Sequence, residues 1–325
     1  MYLCAVQFHT QIGTSIEQAA LWLQQGETVG IPTETVYGLA ANALDADAAV
    51  KIFQIKNRPS FNPLIVHVHS AAEFEKYALE VPPLVKKLAE AFSPGPLTYV
   101  LPRRENIPDI ITAGGDTVAL RVPAHALTRR LLNVLPFPLA APSANPFGYI
   151  SPVTAQHVAD QLGGKVPYIL DGGPCEVGVE STVVTVRNGK VVVLRLGGIT
   201  VEQLCEVAGD VELDINESSN PQSPGQLKSH YAPRIPLQWG MPGTQPPQQK
   251  VAVLCLQHAP AWTNIVRVET LSHTGNLAEA ARNLFAALRR LDELDADCIF
   301  AERMPEYGLG KAMNDRLKRA SVENF

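Results

Sequence analysis

The chain has 325 residues, 46% hydrophobic and 18% charged, a balance that fits a globular protein of two domains and excludes a disordered one. Its formal net charge is −5, with 15 Lys and Arg against 17 Asp and Glu over residues 1–205 and 12 against 15 over 206–325, so no strong nucleic-acid binding is expected. No apolar run approaches the roughly 18 residues of a membrane span. Residues 1–11 lack the blocks of a signal peptide, and five scattered cysteines read as free thiols, so the expectation is a cytoplasmic protein without membrane contact.

From Thr14 or Ser15, apolar residues at Ile16, Ala19, Ala20 and Leu23 recur at helical spacing up to Gly26, predicting a capped amphipathic helix. Residues 28–32 read as a buried strand running into a polar loop, Thr33-Glu34-Thr35. Asp45 caps a second helix carrying Val50, Ile52, Phe53 and Ile55. A β-branched strand follows at 64–68, helices near 71–79 and 82–92, and strands at 97–101, 117–122 and 138–141. Ser151-Pro152 predicts a helix start, with Ser as N-cap and Pro in the first helical position. Two valine-rich runs over 182–196, joined by Asn188-Gly189, predict a hairpin, and a short helix ends near Gly209. Interleaved strands and helices make residues 1–209 an α/β domain on a mixed sheet.

Residues 210–235 change character: Asp214 to Gln226 is rich in Ser, Asn and Pro without periodicity and reads as a linker. After a Pro/Gln stretch at 242–249, a strand (251–256), a helix (276–291) and a strand (298–301) predict a smaller Rossmann-like α/β domain over 236–325.

Five features carry chemistry. Lys56-Asn57-Arg58-Pro59 puts two cations at a helix end, suited to a polyphosphate but equally to a solvated terminus. Pro142-Ser143-Ala144-Asn145 follows an apolar strand, where hydroxyl and amide groups hold ligands in open α/β sheets or simply make a turn. Thr33-Glu34-Thr35, before Tyr37-Gly38, offers two hydroxyls and a carboxylate to a ligand or to a cap. Arg121 sits inside the apolar strand 118–122 and must find an anion, either a ligand or an internal partner. His67, in the strand 64–68, is a weaker case of the same kind. No phosphate-binding G-x-x-x-x-G-K-[ST] loop, H-E-x-x-H, Cys/His cluster or G-x-S-x-G is present, and no protein metal site is expected.

In order, the segments IPTETVYGLA (31–40), KNRP (56–59), FNPLIVH (61–67), SPGPLT (93–98), TVALRVP (117–123), APSAN (141–145), GVEST (178–182) and RLGG (195–198) resemble the threonylcarbamoyl-AMP synthase family with its YrdC-like catalytic domain. SPGQLKSHYAP (223–233) resembles the linker motif of the longer members, although it is less basic than their usual linker.

The resemblance implies a twisted, mostly parallel central sheet with surrounding helices, and an enzyme that joins L-threonine, bicarbonate and ATP into threonylcarbamoyl-AMP and pyrophosphate. It implies that Lys56 and Arg58 are the K-x-R pair that holds the ATP phosphates, that Ser143 and Asn145 are the family's S-x-N pair, that these four are the catalytic residues, and that Asn62, Thr117, Ser143, Ser151, Arg195 and Tyr231 also contact ATP. Thr35, His67, Arg121, Ser181 and the Ala141 backbone fall where the family contacts threonine. Mg²⁺ is expected to accompany ATP, and hand-over of the product to the tRNA threonylcarbamoyl transferase complex would follow. An RNA-binding module, and a carbamoyl-adenylate synthase of hydrogenase-maturation type, are the alternative readings.

Overall fold

Local chemistry sets the ends of many elements in the computed structural model, which describes residues 7–215, 230–244 and 249–321. Strand β1 (Gln11–Gly13) leads to helix α1 (Ile16–Gln24), where the Ser15 side chain accepts a hydrogen bond from the Gln18 amide and Ile16, Ala19, Ala20 and Leu23 are buried. After β2 (Val29–Ile31) and β3 (Gly38–Asn42) comes α2 (Ala46–Lys56), capped by the Asp45 carboxylate and ended by Asn57 in the left-handed region at φ 51°. Next are β4 (Ile65–His67), a 3-10 turn (Ala71–Glu73), α3 (Phe74–Tyr77), α4 (Pro83–Phe92), β5 (Leu97–Pro102), α5 (Asp109–Thr112) and β6 (Thr117–Arg121). Then come α6 (Ala126–Val134), β7 (Leu139–Ala140), α7 (Ala155–Leu162) and β8 (Tyr168–Leu170). A hairpin of β9 (Thr182–Arg187) and β10 (Lys190–Arg195) turns at Asn188-Gly189, both at positive φ, before α8 (Val201–Ala208) and β11 (Val211–Leu213).

These eleven strands form one sheet in the order β1-β8-β2-β3-β7-β4-β6-β5-β9-β10-β11. Five of the pairings are parallel and five antiparallel, so the sheet is mixed, without the parallel majority implied by resemblance. Period-2 alternation divides its centre into two faces. Val66, Tyr99, Leu120, Val184 and Val193 enter the main core. Ile65, Val100, Ala119, Val183, Val192 and Leu194 make a thin apolar patch on the opposite face. On that second face His67, Arg121 and Thr98 lie towards one end, and Thr117 at the other.

A second sheet follows: β12 (Leu237–Trp239), β13 (Val251–Cys255), β14 (Ile265–Thr270) and β15 (Cys298–Ala301), in the order β12-β15-β13-β14 with parallel pairings throughout. Helices α9 (Leu277–Asp292) and α10 (Leu309–Ala320) belong to this part. Its apolar residues Leu284, Phe285, Leu288 and Leu317 belong to the same buried cluster as Val36, Ile150 and Val179 of the first part. The two sheets are separate, but their core is continuous.

Three expectations change. Ser151 caps no helix: α7 starts four residues later with Thr154 as N-cap, because the Pro152 carbonyl accepts the Tyr37 amide at 2.8 Å and draws this stretch out of helical geometry. Residues 211–213 are not linker but an edge strand paired with β10. Residues 38–42, unassigned in sequence, form a strand whose alanines are buried on both faces, so no alternation marks it. Most of the linker motif, residues 223–229, lies outside the described residues.

Candidate active site

One cavity opens on the second face of the large sheet, where the loops after β2, β7 and the 178–182 segment meet. It has about 50 Å³ of free space, enough for a few waters, and the buried His230 and Tyr231 form part of its lining. Thr33, Thr35, Arg58, His67, Arg121, Ala141, Ser143, Glu180, Ser181 and Arg195 line the rest. The Thr33 hydroxyl accepts the amides of Thr35 (3.1 Å) and Val36 (3.2 Å), folding the threonine loop tightly against the sheet.

Arg121 is buried and pairs with Glu34 at 2.6 Å, so the internal partner left open by its sequence context exists. It also donates to Thr35 Oγ1 (3.1 Å) and the Gly95 carbonyl (3.3 Å). These bonds use three of the five N–H donors of a guanidinium that lines the cavity, leaving two that they do not use. His67, beside it, is pushed down to about 3 by burial and by Arg121, so it is a neutral imidazole at ordinary pH.

The phosphate candidates divide into two layers. Arg58 lines the cavity and donates to the carbonyls of Asn62 (3.2 Å) and Pro63 (2.9 Å), and burial lowers it to about 9. Lys56, by contrast, is fully buried behind the cavity wall, and its ammonium donates to the carbonyls of Ser143 and Asn145. Burial, and then Arg58, lower its pKa well below the lysine range. The K-x-R pair therefore does not converge as two exposed side chains: the arginine faces the cavity and the lysine braces the loop that carries Ser143.

Arg195 donates to the Ser181 carbonyl (2.8 Å) and hydroxyl (3.0 Å), and burial lowers it to about 10. The Ser181 hydroxyl also bonds to Thr98 Oγ1 at 2.7 Å. Asn62, Asn145 and Ser151 are buried close behind these residues but do not line the cavity. Thr117 lies elsewhere, in an adjoining cavity of about 520 Å³ with Phe61, Ala119, Thr185 and Arg187. It shares the strand face of Arg121, with Ala119 between them.

Among the described residues, four buried polar atoms around the site have no hydrogen-bond partner: Asn62 Oδ1, Asn145 Oδ1, His67 Nδ1 and His230 Nδ1. The orphaned amide oxygens call for hydrogen-bond donors, and the cations beside them, bonded mainly to backbone carbonyls, favour negative charge, so the surface suits a polar ligand.

A family model described as telomere recombination matches residues 22–197, and one described as the threonylcarbamoyl-AMP synthase C-terminal domain matches 199–322. The threonylcarbamoyl-AMP synthase of Pyrococcus abyssi is 39% identical over 318 residues, 94% of each chain. That of Bacillus subtilis is 40% identical over 320 residues, 94% of this chain and 92% of its own. The chain belongs to the threonylcarbamoyl-AMP synthase family. It is therefore an enzyme of nucleotidyltransferase type, and neither the RNA-binding module nor the hydrogenase-maturation reading describes these relatives. The solved structure of P. abyssi Sua5 complexed with L-threonine superposes with a TM-score of 0.87 at 38% identity, covering 97% of both chains.

Two site features of this family member were not found by sequence reasoning. Glu180 carries no local signal of a site residue in the sequence; it lines the cavity and accepts from Ser151 Oγ at 2.7 Å. His230 precedes the recognised Tyr231, and its burial beside Phe147 (ring centroids 5.9 Å) emerges only when the chain folds back.

Proposed function

We propose that the cavity carries out the family reaction with a specific division of labour. The threonine α-carboxylate takes the two remaining donors of Arg121, with Thr35, Ser181 and the Ala141 backbone completing the amino-acid end. Neutral His67 accepts a hydrogen bond from the substrate amine. The amine attacks bicarbonate, forming a C–N bond with loss of water, and yields a carbamate. A carbamate oxygen then attacks the α-phosphorus of ATP while the bond to the bridging oxygen breaks, releasing pyrophosphate. No protein nucleophile is required, and catalysis rests on positioning and on cationic stabilisation of the phosphates.

Arg58, Arg195 and Ser143 face those phosphates, while Lys56 and Asn145 hold the Ser143 loop. Asn62 and Ser151 support the same wall, and Thr117 marks the adjoining cavity, roomy enough for the nucleoside. His230 and Tyr231 must shift for ATP to enter. Among the described residues Glu180 is the only carboxylate lining the cavity, and both its oxygens are engaged, so Mg²⁺ would be held through phosphate oxygens with hydroxyl help rather than by a protein cage. Release to a tRNA threonylcarbamoyl transferase complex in the cytoplasm would complete the pathway step.

The observation that carries this reading is the juxtaposition, around one cavity, of Arg121 with Arg58 and Arg195, with Lys56 buried behind the wall. The test is mass spectrometry of the product from ATP, L-threonine and ¹³C-bicarbonate. A threonylcarbamoyl adenylate bearing one label is expected; pyrophosphate release independent of threonine would overturn the reading.

A further inference from the structure

The C-terminal helix α10 delivers one side chain into the wall of the cavity built by the first sheet. Arg316 is fully buried, at 0% exposure. Its Nε donates to Glu180 Oε2 at 2.8 Å, its Nη2 to the Leu196 carbonyl at 2.7 Å and its Nη1 to Asp315. Its guanidinium carbon lies 5.3 Å from the centre of the Tyr231 ring. One residue of the second domain thus touches the 178–182 loop, the end of β10 beside Arg195, and Tyr231.

Charge explains why this matters. Among the described residues Glu180 is the only carboxylate lining the cavity, and a buried carboxylate without a matched cation repels an incoming polyphosphate and draws nearby cations to itself. Arg316 meets it with a direct ion pair, while the other Glu180 oxygen is occupied by Ser151. The surrounding packing leaves little room for adjustment: an added Cβ on Gly197 would lie 2.3 Å from the Glu180 carbonyl, so the loop and the strand end are in direct contact.

We propose that Arg316 is a positioning residue of the active site, supplied by the C-terminal domain, which neutralises Glu180 so that the cavity wall presents net positive charge to the ATP phosphates. The proposal rests on the ATP reading above. A role limited to packing makes a different prediction, because removing both partners would then be at least as harmful as removing one.

Steady-state kinetics of pyrophosphate release, with thermal melts to confirm folding, separates the two. Arg316→Ala raises KM for ATP by about tenfold or more, with a smaller change in kcat, because an unpaired buried charge is left at the site. Arg316→Ala with Glu180→Gln brings KM for ATP most of the way back. Should Arg316→Ala fail to fold, Arg316→Gln carries the same comparison while keeping hydrogen-bond reach. A folded single variant with wild-type KM for ATP overturns the proposal, as does a double variant no better than the single. Wild-type protein that shows no saturation by ATP would instead overturn the ATP reading itself.

Discussion

In the proposed phosphate site Lys56 has a role without lining the cavity. Its ammonium binds two carbonyls of the 142–145 loop, one on each side of Ala144, and so fixes the Ser143 hydroxyl at the cavity wall. Truncation leaves two buried acceptors without a donor, a cost of about 1–3 kcal/mol each. It also frees a loop whose displacement by an ångström lowers turnover by about 10²-fold. Lys56→Ala is therefore expected to fold with reduced stability and to lose about that factor in kcat. Pyrophosphate release is the measurement, and near-normal turnover in a folded variant would remove Lys56 from the site. Lys56→Arg is no substitute, because a planar fork does not fit a slot made for a point charge between two carbonyls. Arg121 was legible in part: a cation in an apolar strand had to find an anion, but Glu34 stands 87 positions away and no spacing rule reaches it.

At the scale of elements, loop 178–182 is the joint between the halves of the molecule. Gly178 has φ +77°, and a Cβ there would lie 2.4 Å from both the Ala281 carbonyl oxygen and the Arg282 Cα of α9. Both obstacles are backbone, so neither can swing aside. Left-handed geometry costs a residue with a side chain about 1–2 kcal/mol, and overpacking adds about 1–3 kcal/mol. Gly178→Ala should accordingly lower the melting temperature and raise KM for ATP, since the same loop carries Glu180 and Ser181; unchanged values for both would show that the joint is slack. The sequence pattern displayed the regular pieces of this architecture well. Helix α1 and the 182–196 hairpin follow from periodicity and Asn-Gly chemistry, which are local. It missed what depends on remote partners: Ser151 resembles an N-cap until the 33–37 loop claims Pro152, and β11 resembles linker until β10 offers an edge.

Over the whole molecule, two buried imidazoles and a continuous core set the conditions for stability. His67 and His230 both lie at about 3 in the folded protein, through burial, against 6.5 when free. Between those values the unfolded chain binds more protons, so their contribution is complete above about pH 6.5 and fades as the pH falls toward 3. At pH 4.5 the loss is about 2–3 kcal/mol per imidazole. Glu180, held low by Arg316 against its burial, loses stability in the same direction. Thermal melts should show a steep fall from pH 6.5 to 4.5 that His230→Gln makes shallower; parallel profiles would exclude a contribution from His230. The continuous core bears on the linker. A change of composition at residue 210 suggests that the chain can be divided there, yet Arg289 donates to the carbonyls of Ile150 and Ser151, and Tyr149 donates to Asp292 at 2.5 Å. Ile150 and Val179, both fully buried, share a cluster with Leu284 and Phe285. Uncovering a side chain of this size costs about 1.5–3 kcal/mol, and a few such losses equal the roughly 5–15 kcal/mol that stabilises a typical domain. A fragment ending at residue 209 is expected to melt well below the full chain and to bind an apolar dye, with ATP binding lost through instability as well as through the missing Tyr231 and Arg316. A monomeric fragment with the melting temperature of the full chain would show that the first sheet is complete without the second.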